Sequence, residues 1–321
     1  MVARIAGRER GSIVLCGHLD TVSVAEDSWE RSPLEPAVED DRLWGLGAAD
    51  MKSAVAVLLQ TLARLAKEEQ SPEKDIVLVL TADEEWGYRG AASIAKSGLI
   101  GDAELLLIAE PTSNGVYVGQ KGELWIEATF SGHEAHGSVP ETGASAILPA
   151  ARFCSRLQEQ VARWFEVPGE GRTTLNIGRF DGGRQVNIVA DHATIQLDLR
   201  VISDNHYEAV IQAVSDVGNA EASMAGCTFS YKEMSYHPPI HTKEQHPWGG
   251  KLIAASSAVT GIPQPLGRSP FSTDAVSIVP VLDIPVFVCG PGSIAQAHRP
   301  DEYIELDQIA QSLELYKTFV A

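Results

Sequence analysis

The sequence predicts an α/β fold: a mainly parallel sheet with helices on both faces, into which a smaller domain of different strand order is inserted. Three observations carry this reading. Short apolar runs alternate with helix-period segments from residue 11 to about 115, as buried strands joined by crossover helices do. In the middle of the chain the order becomes β-α-β-β-α-β, the split βαβ arrangement. The first alternation then resumes towards the end of the chain.

Taken in order, "SIVLCG" is a short apolar strand and "DMKSAVAVLLQTLARLAKEE" (50–69) has apolar residues at helical spacing with a charged end. "DIVLVL" is a second strand, "YRGAASIAKSG" a short helix closed by Gly98, and "AELLLIAE" a third strand. The middle opens with the strand "GELWIEATF" and a helix within "GASAILPAARFCSRLQEQVARW". The strands "TTLNIGRF" and "HATIQLDLRVI" follow, parted by the turn-rich "DGGRQ". In the second of these, Ile195, Leu197, Leu199 and Val201 alternate with polar residues, as in a strand with one buried face. The helix "DNHYEAVIQAVSDV" and the strand "CTFSYKE" complete a ferredoxin-like βαββαβ unit. After "YHPPI" come helices near 247–260 and 273–280, the strand "IPVFVCG" and a last helix near 305–320. The expected organisation is a discontinuous α/β domain, 1–115 with 237–321, and an inserted domain, 116–236.

The 321 residues are 44% hydrophobic and 21% charged, which is ordinary globular composition. The 43 acids against 25 Lys plus Arg give a formal net charge of −18. Nucleic acid and anionic membrane are excluded as partners, since binding phosphate needs a basic footprint. Solubility accounts for most of the acid excess, and carboxylate-rich metal sites for a small part. Cys16, Cys154, Cys227 and Cys289 lie far apart without a CxxC pair, so they read as free thiols of a reducing compartment. The chain has no apolar run of membrane-spanning length, and "MVARIAGRERGS" lacks the apolar core of a signal peptide. The expected location is cytoplasmic.

Polar residues recur just beyond the apolar strands. "IVLCGHLD" supplies His18 and Asp20, "LVLTADEE" Glu84 and Glu85, "LLLIAEPT" Glu110, and "VFVCGPGSIAQAHRPDE" His298, while "LWGLGAADMK" puts Asp50 at a helix start. In an open α/β sheet the C-terminal strand ends line the ligand crevice. Taken singly, each has a plain alternative: a hydrogen-bonded loop histidine, an N-cap for Asp50, a strand terminus for Glu110. Jointly, two histidines and at least three carboxylates match a hard-to-borderline metal. Five protein ligands exceed what one catalytic zinc takes, but suit two metals ~3.5–4 Å apart sharing a carboxylate. In His-x-Asp, a carboxylate can hold the imidazole nitrogen that faces away from the metal.

These residues sit in "GHLDTV", "GLGAADMKSAVA", "TADEEWG", "AEPTS", "GHEAHGSVPETGASAI", "GGRQVNIVAD" and "CGPGSIAQAHRPDEYI". Together, in this order, they resemble the acetylornithine deacetylase, succinyl-diaminopimelate desuccinylase and glutamate carboxypeptidase family of dinuclear zinc hydrolases. The closing stretch and "HPPI" are most similar to acetylornithine deacetylase, an enzyme of arginine biosynthesis. The resemblance implies two Zn²⁺ per subunit, with Co²⁺ as a substitute. One metal would take His18 and Glu110, the other Glu85 and His298, and Asp50 would bridge. Asp20 would orient His18, and Glu84 would be the general base. It further implies a cis peptide at Asp50–Met51, and an inserted domain acting as lid and dimerisation unit of a homodimer. His136 would stabilise the oxyanion in the partner subunit's site. Asn176 and Arg200 match lid positions that meet substrate, Arg200 either by pairing with a carboxylate or simply as a polar residue on the exposed strand face. Asn187 reads as a substrate contact or a turn residue. The expected substrate is an N-acyl amino acid resembling N-acetylornithine, with N-succinyl-diaminopimelate or a dipeptide as alternatives. Asp274 in "FSTDAVS" would either meet a substrate δ-amine or serve the N-terminus of its helix.

Two further expectations concern the chain's ends and its turns. The chain begins almost at the "GHLD" strand, where members of the family carry a further helix and strand, so a face of the catalytic domain is expected to lie uncovered. Adjacent Glu84 and Glu85 would point to opposite sides of an extended chain, so a turn is expected between them.

Overall fold

The computed structural model describes the chain except residues 25–27, 70, 165, 168–170, 244–245 and 264–266, and except the side chains of 164, 166 and 167. The chain divides into two compact units, Met1–Gln120 with Ile240–Ala321, and Lys121–Pro239.

The first unit runs β1 (Val2–Ile5), β2 (Ser12–His18), β3 (Ala37–Glu39), β4 (Arg42–Trp44), α1 (Ser53–Leu65), β5 (Asp75–Thr81), α2 (Arg89–Lys96), β6 (Ala103–Ile108) and β7 (Gly119–Gln120). The second runs β8 (Gly122–Ser131), α3 (Ile147–Trp164), β9 (Glu166–Val167), β10 (Gly171–Arg172), β11 (Thr174–Gly182), β12 (His192–Val201), α4 (Asp204–Met224) and β13 (Thr228–His237). The chain then returns to the first unit through β14 (Ile240–His241), α5 (Pro247–Thr260), α6 (Ala275–Leu282), β15 (Val286–Val288), β16 (Tyr303–Glu305) and α7 (Leu306–Val320).

The sheet of the first unit has the order β1-β5-β2-β6-β15. Its last four strands are parallel, and β1 is an antiparallel edge. Alternate residues of each strand serve opposite faces. Ile13, Leu15, Ile76, Leu78, Leu105 and Leu107 pack with α1, α5 and α7. Val14, Cys16, Val77, Val79, Leu106 and Ile108 pack with α2 and α6. Both faces are covered, which is why the strands read as continuous apolar runs. Each such aliphatic side chain contributes about 1.5–3 kcal/mol on full burial.

The second unit is an antiparallel sheet of order β11-β12-β8-β13. One face packs against α3 and α4, with Ile195, Leu197, Leu199 and Val201 all buried as their alternation requires. The units meet the chain at 120/121 and 239/240 rather than at the expected 116 and 236. The reason is the short pair β7–β14, which joins the two passages inside the first unit. Short strands β3, β4 and β16, which form a small sheet of their own, were not foreseen either. With three residues each, they show no usable periodicity.

Candidate metal centre and active site

The C-terminal ends of β2, β5 and β6 deliver the central residues, as a parallel sheet must when its strands run in register. His18 ends β2 opposite Thr81, the last residue of β5. Glu110 follows β6 by two residues. The expected turn at "DEE" is present and includes both glutamates. Asp83 takes a left-handed φ of 71°, and Glu84 and Glu85 both lie in the turn that follows. Asp83, which had no role in the sequence reading, receives Arg89 through two side-chain bonds of 2.7 Å, and that hydrogen bonding holds its carboxyl below the ordinary range.

Asp50 is not an N-cap. Helix α1 begins at Ser53, and Asp50 has φ −122° and ψ 95° behind the left-handed Gly47. The Asp50–Met51 peptide is cis. This segment is held by Glu302, whose buried carboxylate accepts from the backbone N–H groups of Gly47 (2.8 Å), Ala49 (2.7 Å) and Asp50 (2.9 Å). Sequence reasoning gave Glu302 no role. The available signal was an acid four residues beyond His298 within a quoted motif.

His18 is 1% exposed. Its Nε2 lies 3.1 Å from Asp50 Oδ1 and 3.7 Å from Glu110 Oε1. Its Nδ1 is 2.9 Å from the Asp20 backbone carbonyl and 3.6 Å from the Asp20 carboxylate, so the carbonyl is the nearer partner. Asp20 Oδ2 in turn accepts from the Glu85 N–H at 3.2 Å. His298 stands on the other side of Asp50: its Nε2 is 3.0 Å from Glu85 Oε2 and 3.5 Å from Asp50 Oδ2. One imidazole therefore faces each oxygen of Asp50. A cleft of about 100 Å³ lies beside His298, lined by Val22, Val24, Trp29, Leu46 and Arg299 among others.

The electrostatics follow from burial. Burial, reinforced by the field of Glu110, raises the Glu84 carboxyl well above its ordinary value. Glu110 is raised in the same way, with Asp50 the next cause. Burial alone would lower the His18 value, but Asp20, Asp50 and the nearby glutamates outweigh it and raise it. The hydrogen bond to Glu85 raises His298. Crowding this many acids raises their free energy unless cations enter among them. The donor set fits such cations. Ligand atoms of His18, Glu84 and Glu110 lie within 4.8 Å of one another, as do those of His18, Asp50 and Glu85. Imidazole and carboxylate are the donors that zinc and its borderline neighbours take.

Asp274 stands at the N-cap position of α6, where its backbone carbonyl accepts from the Ser277 and Ile278 N–H groups at 3.1 and 3.2 Å. It is 1% exposed and makes no side-chain capping bond at the start of α6. Its carboxylate faces β2 and β5, and burial above all pushes it up to about 6.

The remaining predicted residues belong to the second unit. His136 is exposed, and its Nδ1 lies 2.8 Å from Ser138 Oγ and accepts from the Ser138 N–H at 3.2 Å. Asn187 is exposed and its backbone carbonyl accepts from the Gly137 N–H at 2.8 Å, which places it beside His136. Asn176 is exposed on β11. Arg200 directs its fork to Asp198 (2.8 and 3.1 Å) and to Glu123 (3.0 Å). A strand residue flanked by acids satisfies its guanidinium locally.

A family model described as Peptidase family M20/M25/M40 matches residues 14–321. Among curated relatives, a probable succinyl-diaminopimelate desuccinylase of Staphylococcus aureus (strain MRSA252) is 29% identical, the match covering 95% of this chain and 81% of the relative. An acetylornithine deacetylase of Edwardsiella ictaluri (strain 93-146) is 30% identical over 96% of this chain and 79% of its own. Among solved structures, a tripeptidase from Staphylococcus aureus superposes with a TM-score of 0.83 at 24% identity, covering 99% of this chain and 83% of that one. A dinuclear metal-binding peptidase from Bacillus subtilis gives 0.72 at 16% identity, covering 99% and 83%.

Proposed function

The chain belongs to peptidase family M20/M25/M40 and is an amide hydrolase, and from that premise we propose that it removes the acyl group of an N-acyl amino acid at a two-metal centre. The observation that carries the reading is Asp50, with one oxygen 3.1 Å from His18 and the other 3.5 Å from His298. Such a carboxylate, with an imidazole at each oxygen, is suited to bridge two cations. His18 and Glu110 would hold one, Glu85 and His298 the other, and zinc or cobalt suits both donor sets. When bound, the cations balance the carboxylate charge, make water more acidic and polarise the amide carbonyl.

The protein's own part is positioning and proton transfer. Glu84 takes a proton from the attacking water as the new C–O bond forms. It returns that proton to the amide nitrogen as the C–N bond breaks, releasing a carboxylic acid and an amine. A positioned carboxylate in this role is typically worth ~10²–10⁴-fold in rate. A base whose proton affinity is raised by burial is suited to hold the proton between the two steps. Asp20 and Glu302 keep His18, Glu85 and Asp50 in place.

His136 is read as the oxyanion donor, supplied across a homodimer formed through the second unit. Because the Ser138 N–H donates to Nδ1, the proton of a neutral ring belongs on Nε2, which leaves that nitrogen free to donate. N-Acetylornithine is the favoured substrate class, and succinyl-diaminopimelate or a dipeptide is the alternative, in line with the names of the two relatives. Hydrolysis of all three by the chain reconstituted with Zn²⁺ or Co²⁺, run in parallel, tests the reading. Preference for the acetyl substrate supports it, and no turnover of any amide would refute it.

A further inference from the structure

We propose that Asp274 is a positioning residue for the metal centre, acting through Thr81 to hold together the strand ends that carry His18 and Glu84. The inference rests on the two-metal reading above and deepens it.

The parallel ladder of β2 and β5 ends at the rung that pairs His18 with Thr81. Beyond it β2 departs towards Asp20, and β5 turns at Asp83 to place Glu84 and Glu85. The end of this ladder, closed by the Leu19 N–H donating to the Thr81 carbonyl at 3.1 Å, is the place where the pairing opens first. Asp274 lies against this rung. Its Oδ2 accepts from Thr81 Oγ1 at 2.5 Å and has Cys16 Sγ 3.9 Å away, two residues before His18. Thr81 Oγ1 is also 3.3 Å from the Gly17 carbonyl, on the other strand. One carboxylate oxygen thus reaches side chains on both strands at the level where the ligands leave the sheet.

Asp274 is itself anchored. Thr273 Oγ1, fully buried, donates to Gln120 Oε1 at 2.6 Å and accepts from the Ala275 N–H at 3.2 Å. The clamp is therefore fixed to the start of α6, which packs on the same sheet face as Cys16. The second oxygen of Asp274, Oδ1, is buried without a hydrogen-bond partner among the described residues. A buried carboxylate left half-satisfied opposes folding. Its placement here, 1% exposed and with no side-chain capping bond, is accounted for by the restraint it puts on Thr81.

The experiment measures Co²⁺ affinity by titration of the full metal-free chain, with melting of each metal-free variant as the control for folding. Thr81→Val and Asp274→Ala break the clamp and are expected to weaken Co²⁺ binding about 10-fold or more, the scale of outer-layer partners of metal ligands. Thr81→Ser keeps the hydroxyl and Asp274→Asn keeps an acceptor, so both are expected to stay within about threefold of the parent. The double variant Thr81→Val/Asp274→Ala should be no weaker than either single one, because both remove the same bond. Should Asp274→Ala fail to fold, the Thr81→Val and Thr81→Ser pair gives the same answer. Parent-like affinity in Thr81→Val, or equal weakening in Thr81→Ser, overturns the proposal alone. A parent chain that takes up no Co²⁺ overturns the two-metal reading and this proposal with it.

Discussion

The two halves of the candidate centre are built differently. His18, Glu110 and Glu84 are buried at or just beyond the ends of adjacent parallel strands, where the sheet itself sets their spacing. His298 is 54% exposed, has a left-handed φ of 60°, and comes from the loop between β15 and β16. Its partner Glu85 comes from a turn. The strand half is fixed by core packing and shielded from water. The loop half borders the open cleft with Trp29 and Arg299. Rigidity suits proton transfer and tight ligation, whereas openness suits entry of a substrate.

The comparison can be broken at several points. Glu84→Gln should lower kcat by ~10²–10⁴-fold with Co²⁺ stoichiometry unchanged. Because Glu84 also lies within ligand distance of His18 and Glu110, loss of one metal equivalent in that variant would make it a ligand rather than a base. His18→Ala and His298→Ala come next. Loss of the buried imidazole should abolish the tighter equivalent, weakening it by more than about 100-fold. Loss of the exposed one should weaken the second equivalent by roughly 10-fold, because water can replace it. Equal losses, read by metal titration, would erase the distinction between the halves.

Glu302→Gln tests how the bridging residue is held. Three N–H groups converge on that carboxylate, and the substitution should reduce metal affinity about 10-fold and lower the melting temperature. The smallest effect concerns pH. In the metal-free chain Asp274 titrates at about 6 against an ordinary 3.8, so the folded state holds that proton more tightly than the unfolded chain. The associated stability is complete below about pH 4 and is lost as pH rises to about 6. Melting temperature of the metal-free chain should therefore fall over that interval, and Asp274→Asn should flatten the fall.

Much of this was legible beforehand. The strands of the main sheet announced themselves as apolar runs because both faces are covered, and β12 showed its alternation because one face is not. His18, Asp50, Glu85 and His298 could be collected because each stands beside a recognisable element and within a recognisable motif, and the fold brings them together. The partners of Asp274 and Arg200 were not legible because a lone charged residue does not reveal its neighbours. Asp198 lies two residues from Arg200, but Glu123 comes from β8, far along the chain. Likewise, nothing near Asp274 in sequence points to Thr81 or Cys16.

The sequence by itself determined the layer architecture, the inserted unit and the donor types available at the strand ends. Periodicity and residue chemistry are local properties, and burial of apolar faces translates them directly into layers. Only the tertiary structure decided that Asp50 stands between two histidines rather than capping a helix, that Glu302 cradles it, and that Asp274 faces the last rung of β2 and β5. These outcomes depend on contacts between residues tens to hundreds of positions apart. They are fixed by how buried polar groups find hydrogen-bond partners once the sheet has formed.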